Sequence, residues 1–262
     1  MTPLSGTTQR LQNAISSLTY IQGNIQAVQD TYTKASTDAT ASNTDMTSCK
    51  KPMATCLKDR GDISVAADGK TLVGLVGGTL GRLRKTEGKL ALSNQSANNA
   101  AYPLGGLREE IVSLSQTAEN PEARAILNQS LGWLDRGSYY HAWATRSAGW
   151  SRSNAAAGEG RLSQVGNSLS AVARDNADGK NVTGDMAAAR PFIELAMGYV
   201  GKHATQMGET VGQEKVAIEA LAQVQLHLAQ ALALSQPTPP PQAPSAHHPS
   251  LTDILQANDP TP

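Results

Sequence analysis

Between Thr8 and Ala39 the apolar residues stand at Leu11, Ile15, Leu18, Ile21, Ile25, Val28, Tyr32 and Ala35, and every step between them is three or four. That spacing puts them in one stripe along an α-helix, because residues three and four apart share a face. The steps run 4-3-3-4-3-4-3, with a short one at Leu18 to Ile21 of the kind that marks a stammer in a coiled coil. Most positions between are Gln, Ser, Thr, Asn and Asp. So narrow a stripe buries nothing by itself, and the helix requires a partner.

A second long seam closes the helical part of the chain. From about Asp185 or Arg190 to Gln236, residues Ile193, Ala196, Val200, Met207, Val211, Ile218, Leu221, Leu228 and Leu232 follow a heptad-like course. Beside it lie Met197, Gly201, Ala204, Gly208 and Gly212, a shallow stripe in which each glycine costs a helix up to about 1 kcal/mol relative to alanine. Close approach of another helix would offset that cost; built-in flexibility is the alternative. The two seams differ, which predicts that the first helix packs lengthwise against the last and leaves part of a seam for another subunit. The interaction residues expected on these grounds are Leu11, Ile15, Leu18, Ile25 and Val28 on the first helix, with Val200, Gly201, Gly208 and Val211 on the last.

The stretch between the seams reads less uniformly. Residues 36–58 lose the pattern and gather Thr, Ser, Asn, Asp and a proline, which predicts a loop or a frayed helix end. Asp62 to Val76 holds two β-rich runs around Ala67-Asp68-Gly69-Lys70, a strong hairpin signal. Helices are expected over 104–115 and 119–136, the second opened by an Asn120-Pro121-Glu122 cap. The aromatic cluster Trp133, Tyr139, Tyr140, Trp143 and Trp150 is expected to form a dense core patch, with a ligand site as the other reading. A further short helix is expected over 158–174. The fold class is therefore mainly α: an elongated helical bundle with long coiled-coil-like first and last helices and a small β-hairpin inserted around 62–76. Residues 1–236 form the helical domain, and 237–249 a proline-rich linker. Residues 250–262 form a disordered tail or a short docking motif, its apolar side made by Leu251, Ile254 and Leu255.

Composition narrows the function. A single Phe, three Trp and six Tyr leave little bulky core material, so stability must come from long repetitive interfaces. Twenty-two basic and 22 acidic residues cancel, which disfavours nucleic acid as a partner. The first residues hold no basic stretch followed by an apolar one, and no apolar run reaches about 18 residues, which predicts synthesis in the cytoplasm without a cleaved signal and no transmembrane segment. Cys49 and Cys56 are read as free thiols, with a small disulfide loop or half a metal site as the alternative. None of the five histidines stands in a metal-ligand spacing, and neither a phosphate loop nor a nucleophile elbow occurs. His141 with Glu109, Glu110 or Asp135 is the one acid-base pairing the sequence could offer.

These observations point to a non-enzymatic structural or assembly subunit of a large particle, such as a phage virion component, without cofactors or catalytic residues. Its expected partners are other copies of itself and structural proteins of the same assembly. A substrate or tip component of a bacterial secretion system is the alternative, and a small helical hydrolase the second alternative.

Overall fold

A computed structural model describes residues 6–58, 63–178 and 180–236, and within those ranges it describes no side chain of residues 63–66 or 176. The chain forms α1 (Gly6–Ser48), α2 (Lys50–Lys58), α3 (Ile63–Thr117), α4 (Pro121–Gln164), α5 (Gly166–Ala177) and α6 (Thr183–Leu234). The fold is a helical bundle. Helix α1 lies against α3 and α6, and α4 against α3 and α6, so the four long helices form a ring in which chain neighbours touch and the last returns to the first. Paired residues fix antiparallel directions: Arg10 with Glu110 and Lys89 with Asp38 across α1 and α3, Arg108 with Asp135 and Arg84 with Glu159 across α3 and α4. Helices α1 and α6 run lengthwise together, tied by Thr8 Oγ1 donating to the Ser235 carbonyl at 3.2 Å and Gln29 Nε2 to that of Val211 at 3.4 Å. Antiparallel neighbours in chain order make this an up-down-up-down bundle, with a tight turn between α3 and α4 and the short helices α2 and α5 in the other two connections.

One rule generates the whole interior. In α1 the buried positions from Leu11 onward are Ala14, Leu18, Ile21, Ile25, Val28, Tyr32, Ala35, Ala39, Ser42 and Met46, alternating steps of three and four. Ala14 rather than Ile15 takes the inner place, so the expected stammer is absent and the register is regular. The same alternation carries Leu72, Val76, Thr79, Leu83, Thr86 and Leu90 in α3, and Leu127, Ser130, Leu134, Gly137, His141 and Ala144 in α4. In α6 it runs from Met186 to Ala231. Sustained spacing of this kind is the coiled-coil repeat, and it holds all four helices to one shared axis.

That repeat overrides three local expectations. No strand occurs among the described residues. The expected hairpin around 62–76 is instead the first turns of α3 from Ile63 onward, Asp62 lying outside the described residues; Asp68 and Gly69 are helical, with Gly69 buried. An Asp-Gly turn signal is a local preference worth little against a 55-residue helix whose inner face includes Gly69, Leu72 and Val76. The expected loop over 36–58 is helical too. Its hydroxyls turn back on their own helix: Thr37 donates to the Thr33 carbonyl, Ser42 to Asp38, Thr44 to Thr40 and Ser48 to Thr44. Turn-forming residues are thereby satisfied inside a helix, and Cys49, Met53 and Cys56 prolong the buried seam through α2. Both cysteines are free, and burial with the neighbouring Asp45 carboxylate pushes the Cys49 thiol up to about 12.

The Asn120 cap forms as read. Its Oδ1 accepts from the amides of Glu122 (2.8 Å) and Ala123 (3.3 Å), and its Nδ2 donates to the Leu234 carbonyl, which fastens the start of α4 to the end of α6.

The aromatic cluster is placed differently from the core patch expected. Tyr139, Trp143 and Trp150 are exposed, and Trp133 and Tyr140 half-buried, because they occupy the outer positions of the α4 repeat. Its inner positions facing α6 are small instead: Ser130, Gly137, Ala144, Ser151 and Gly158 recur every seven residues. The opposing column of α6 is Ala189, Ala196, His203, Thr210 and Ala217. With small residues at nearly every place in the two columns, these helices make the most extensive contact in the bundle, and the glycines that serve it are Gly137 and Gly158 of α4. A methyl built at Gly137 would stand 3.0 Å from Leu221 Cδ2, whereas nothing lies within 4 Å of one at Gly208. Gly208→Ala is therefore expected to stabilise by about 0.5–1 kcal/mol, and Gly137→Val to destabilise by about 1–3 kcal/mol through overpacking. Urea denaturation of the two variants beside the parent checks both signs.

By length and composition α6 could cross a membrane; the bundle covers its Met186, Ile193, Val200, Met207, Leu221 and Leu228, while Leu195 and Leu226 stand exposed.

Candidate functional site

Along the axis the interior changes character. One end is filled by Leu and Ile from all four helices, among them Leu18, Leu107, Leu127 and Leu228, and the other by Met, Leu, Val and Cys side chains. The middle third is lean, with Ala35, Ala39, Ala97, Ala144 and Ala148 around Tyr32 and Leu90. Ionisable groups occupy the space that small residues leave there.

The first of these layers joins all four helices. His141 of α4 and Glu214 of α6 are fully buried, and His141 Nδ1 lies 2.9 and 3.0 Å from the two Glu214 carboxyl oxygens. On its other side His141 Nε2 is 2.9 Å from the Ala97 carbonyl of α3. A carbonyl only accepts, so Nε2 carries a proton and donates it. One further proton is then shared between Nδ1 and the carboxyl group, and the pair is neutral overall wherever that proton sits. Burial pulls the imidazolium down, but the Glu214 carboxylate and the Ala97 carbonyl more than offset it, so His141 is raised above its ordinary value. Burial likewise raises Glu214. Both groups hold the shared proton more tightly than water-exposed counterparts would. Tyr32 of α1 completes the layer. Its phenol lies beside the Ser93 and Thr145 hydroxyls without completing a hydrogen bond, and burial with the Glu214 charge raises it far above the usual phenol range.

The second layer is the α4–α6 contact at His203. Its Nδ1 stands 2.7 Å from Ser151 Oγ and 3.1 Å from the Ser151 carbonyl, and Ser151 Oγ donates to the His203 carbonyl at 3.1 Å. These bonds are satisfied together when Nδ1 carries the proton and the hydroxyl gives its own to the backbone. Nε2 is then a bare acceptor, buried and without a partner. Protonating it would place an unpaired donor and a charge in the core, so burial holds His203 down at about 4.

This arrangement can specify register and respond to pH; it presents no reactive group to solvent. The acid-base pairing offered by the sequence is corrected: His141 meets Glu214, while Glu110 binds Arg10 and Asp135 binds Arg108. No group of three or more His, Cys, Asp and Glu side chains able to hold a metal ion occurs among the described residues. The signal that would have found the site is positional. His141 falls seven residues after Leu134 and Glu214 seven after Met207, so each interrupts an apolar heptad column.

Of the expected interaction residues, Leu11, Leu18, Ile25, Val28 and Val200 lie fully inside the bundle, where they hold its own helices together. Ile15, Gly201 and Val211 are half-buried and Gly208 is exposed; Gly201 faces Asn43 of α1. Leu251, Ile254 and Leu255 lie outside the described residues. No known family model, curated protein or solved structure matches the chain.

Proposed function

We propose that this chain is a non-enzymatic structural subunit that builds or braces a large particle, a virion component being the setting its composition suits. The observation that carries the reading is the alternating three-and-four seam, which runs through all four long helices and gives the bundle one continuous internal rod of buried side chains. A scaffold of this kind holds its ends at a fixed separation and leaves its outer helix faces for neighbours. The buried polar layers support the same reading, since one buried polar group at a seam position fixes helix register against a slip by one repeat.

Light scattering after gel filtration, run over a concentration series, tests the proposal. A defined oligomer is expected, and a monomer of 27.4 kDa at every concentration would remove its basis. Mass spectrometry of purified particles against culture supernatant then separates a virion component from a secreted substrate or tip protein.

A further inference from the structure

The outer face of α4 carries a second seam that the bundle leaves partly exposed. Arg136, Tyr139, Trp143, Arg146 and Trp150 follow each other at steps of three, four, three and four, so they line one side of a straight helix. Tyr139 is 58% exposed, Trp143 38% and Trp150 50%. Exposing three large aromatics within about three turns is unusual in a chain with so few, and such a patch marks a contact surface.

The order of residues identifies what covers it. Arg136 and Trp150 lie seven residues on either side of Trp143, and Tyr140 and Arg146 three on either side. Two copies of α4 laid antiparallel about a two-fold axis at Trp143 therefore bring each Arg136 over the other copy's Trp150, each Arg146 over the other's Tyr140, and the two Trp143 rings together. Each arginine position is then opposed by an aromatic one. Within one chain Arg136 already engages rings this way, 5.5 Å from the Trp133 centroid and 5.8 Å from that of Tyr140.

We infer that the occupant of the α4 ridge is a second copy of this chain, in an isologous antiparallel dimer centred on Trp143. The inference rests on the self-assembly reading above and names the surface through which it begins.

Sedimentation velocity of the full chain, with circular dichroism to confirm folding, is the test. A dimer is expected for the parent. Trp143→Ala should weaken it by about thirtyfold, the scale of a central hot spot, and Arg136→Glu by roughly fivefold. Tyr102→Ala, which removes an exposed ring from α3, should leave it unchanged. Tryptophan emission should shift to the blue on association, and that shift should be lost in Trp143→Phe/Trp150→Phe. Folded Trp143→Ala and Arg136→Glu variants that associate as tightly as the parent would overturn the ridge as interface while leaving assembly intact. A parent that stays monomeric would overturn both. A monomer whose emission shifts to the red when residues 237–262 are removed would assign the ridge to the chain's own tail, and so also overturn the dimer.

Discussion

His141→Ala is expected to cost the fold about 3–5 kcal/mol, because it leaves the Glu214 carboxyl buried with no partner. Glu214→Gln should cost far less, on the order of 1 kcal/mol. The amide can donate to Nδ1 of a neutral imidazole while Nε2 still donates to the Ala97 carbonyl, so both imidazole nitrogens keep a partner and no charge is left buried. Replacing both by leucine should be neutral or stabilising by about 1–4 kcal/mol, since a buried ion pair seldom outperforms apolar packing. If the pair's role is to hold register, the double variant will be stable yet less uniform, with broadened resonances for the middle third. Chemical denaturation of the three variants gives the energies. A cost for Glu214→Gln equal to that of His141→Ala would show that the shared proton is not what holds this layer.

The second large effect is a stability maximum near pH 6.5 with two assignable limbs. His203 is held at about 4 in the fold against 6.5 when exposed, so between these values the unfolded chain binds a proton that the folded chain refuses. Its contribution is present above pH 6.5 and is lost as pH falls through about 4, by about 3 kcal/mol in all. His141 works in the opposite sense. Its folded value is raised, so above pH 6.5 the unfolded chain releases a proton that the folded pair retains, and stability falls as pH rises. His203→Met keeps the Ser151 hydroxyl bond to the backbone carbonyl and removes the titration. It should therefore gain about 3 kcal/mol on the parent at pH 4 and almost nothing at pH 7.5. Thermal melts across that range check the difference, and parallel acid limbs would place the effect elsewhere.

The sequence makes the long first and last helices legible because their seams are apolar and regular. It also shows the Asn120 cap, since the residues that satisfy the first turn are adjacent. It misleads where tertiary repeat and local preference disagree. Residues 36–58 and 63–76 carry turn chemistry, but their inner positions stay in step with the other helices, and burial of that face decides. The aromatics of α4 are misread for a related reason: the inner positions of that helix are already held by Leu127, Leu134 and His141 and by the small column Gly137, Ala144, Ser151 and Gly158, and the aromatics fall at positions between them. The His141 and Glu214 pair joins residues 73 apart in the chain, and only the heptad columns each interrupts could have announced it.

Small-angle X-ray scattering over a concentration series puts the central claim to its most direct test. At 1.5 Å per residue the 55-residue α3 implies a rod about 80 Å long, with a radius of gyration of roughly 25 Å at low concentration. As concentration rises, the mass from zero-angle intensity should climb to a fixed multiple of 27.4 kDa. A radius of gyration near 18 Å, that of a compact globule of this length, with the mass of one chain at every concentration, would contradict it.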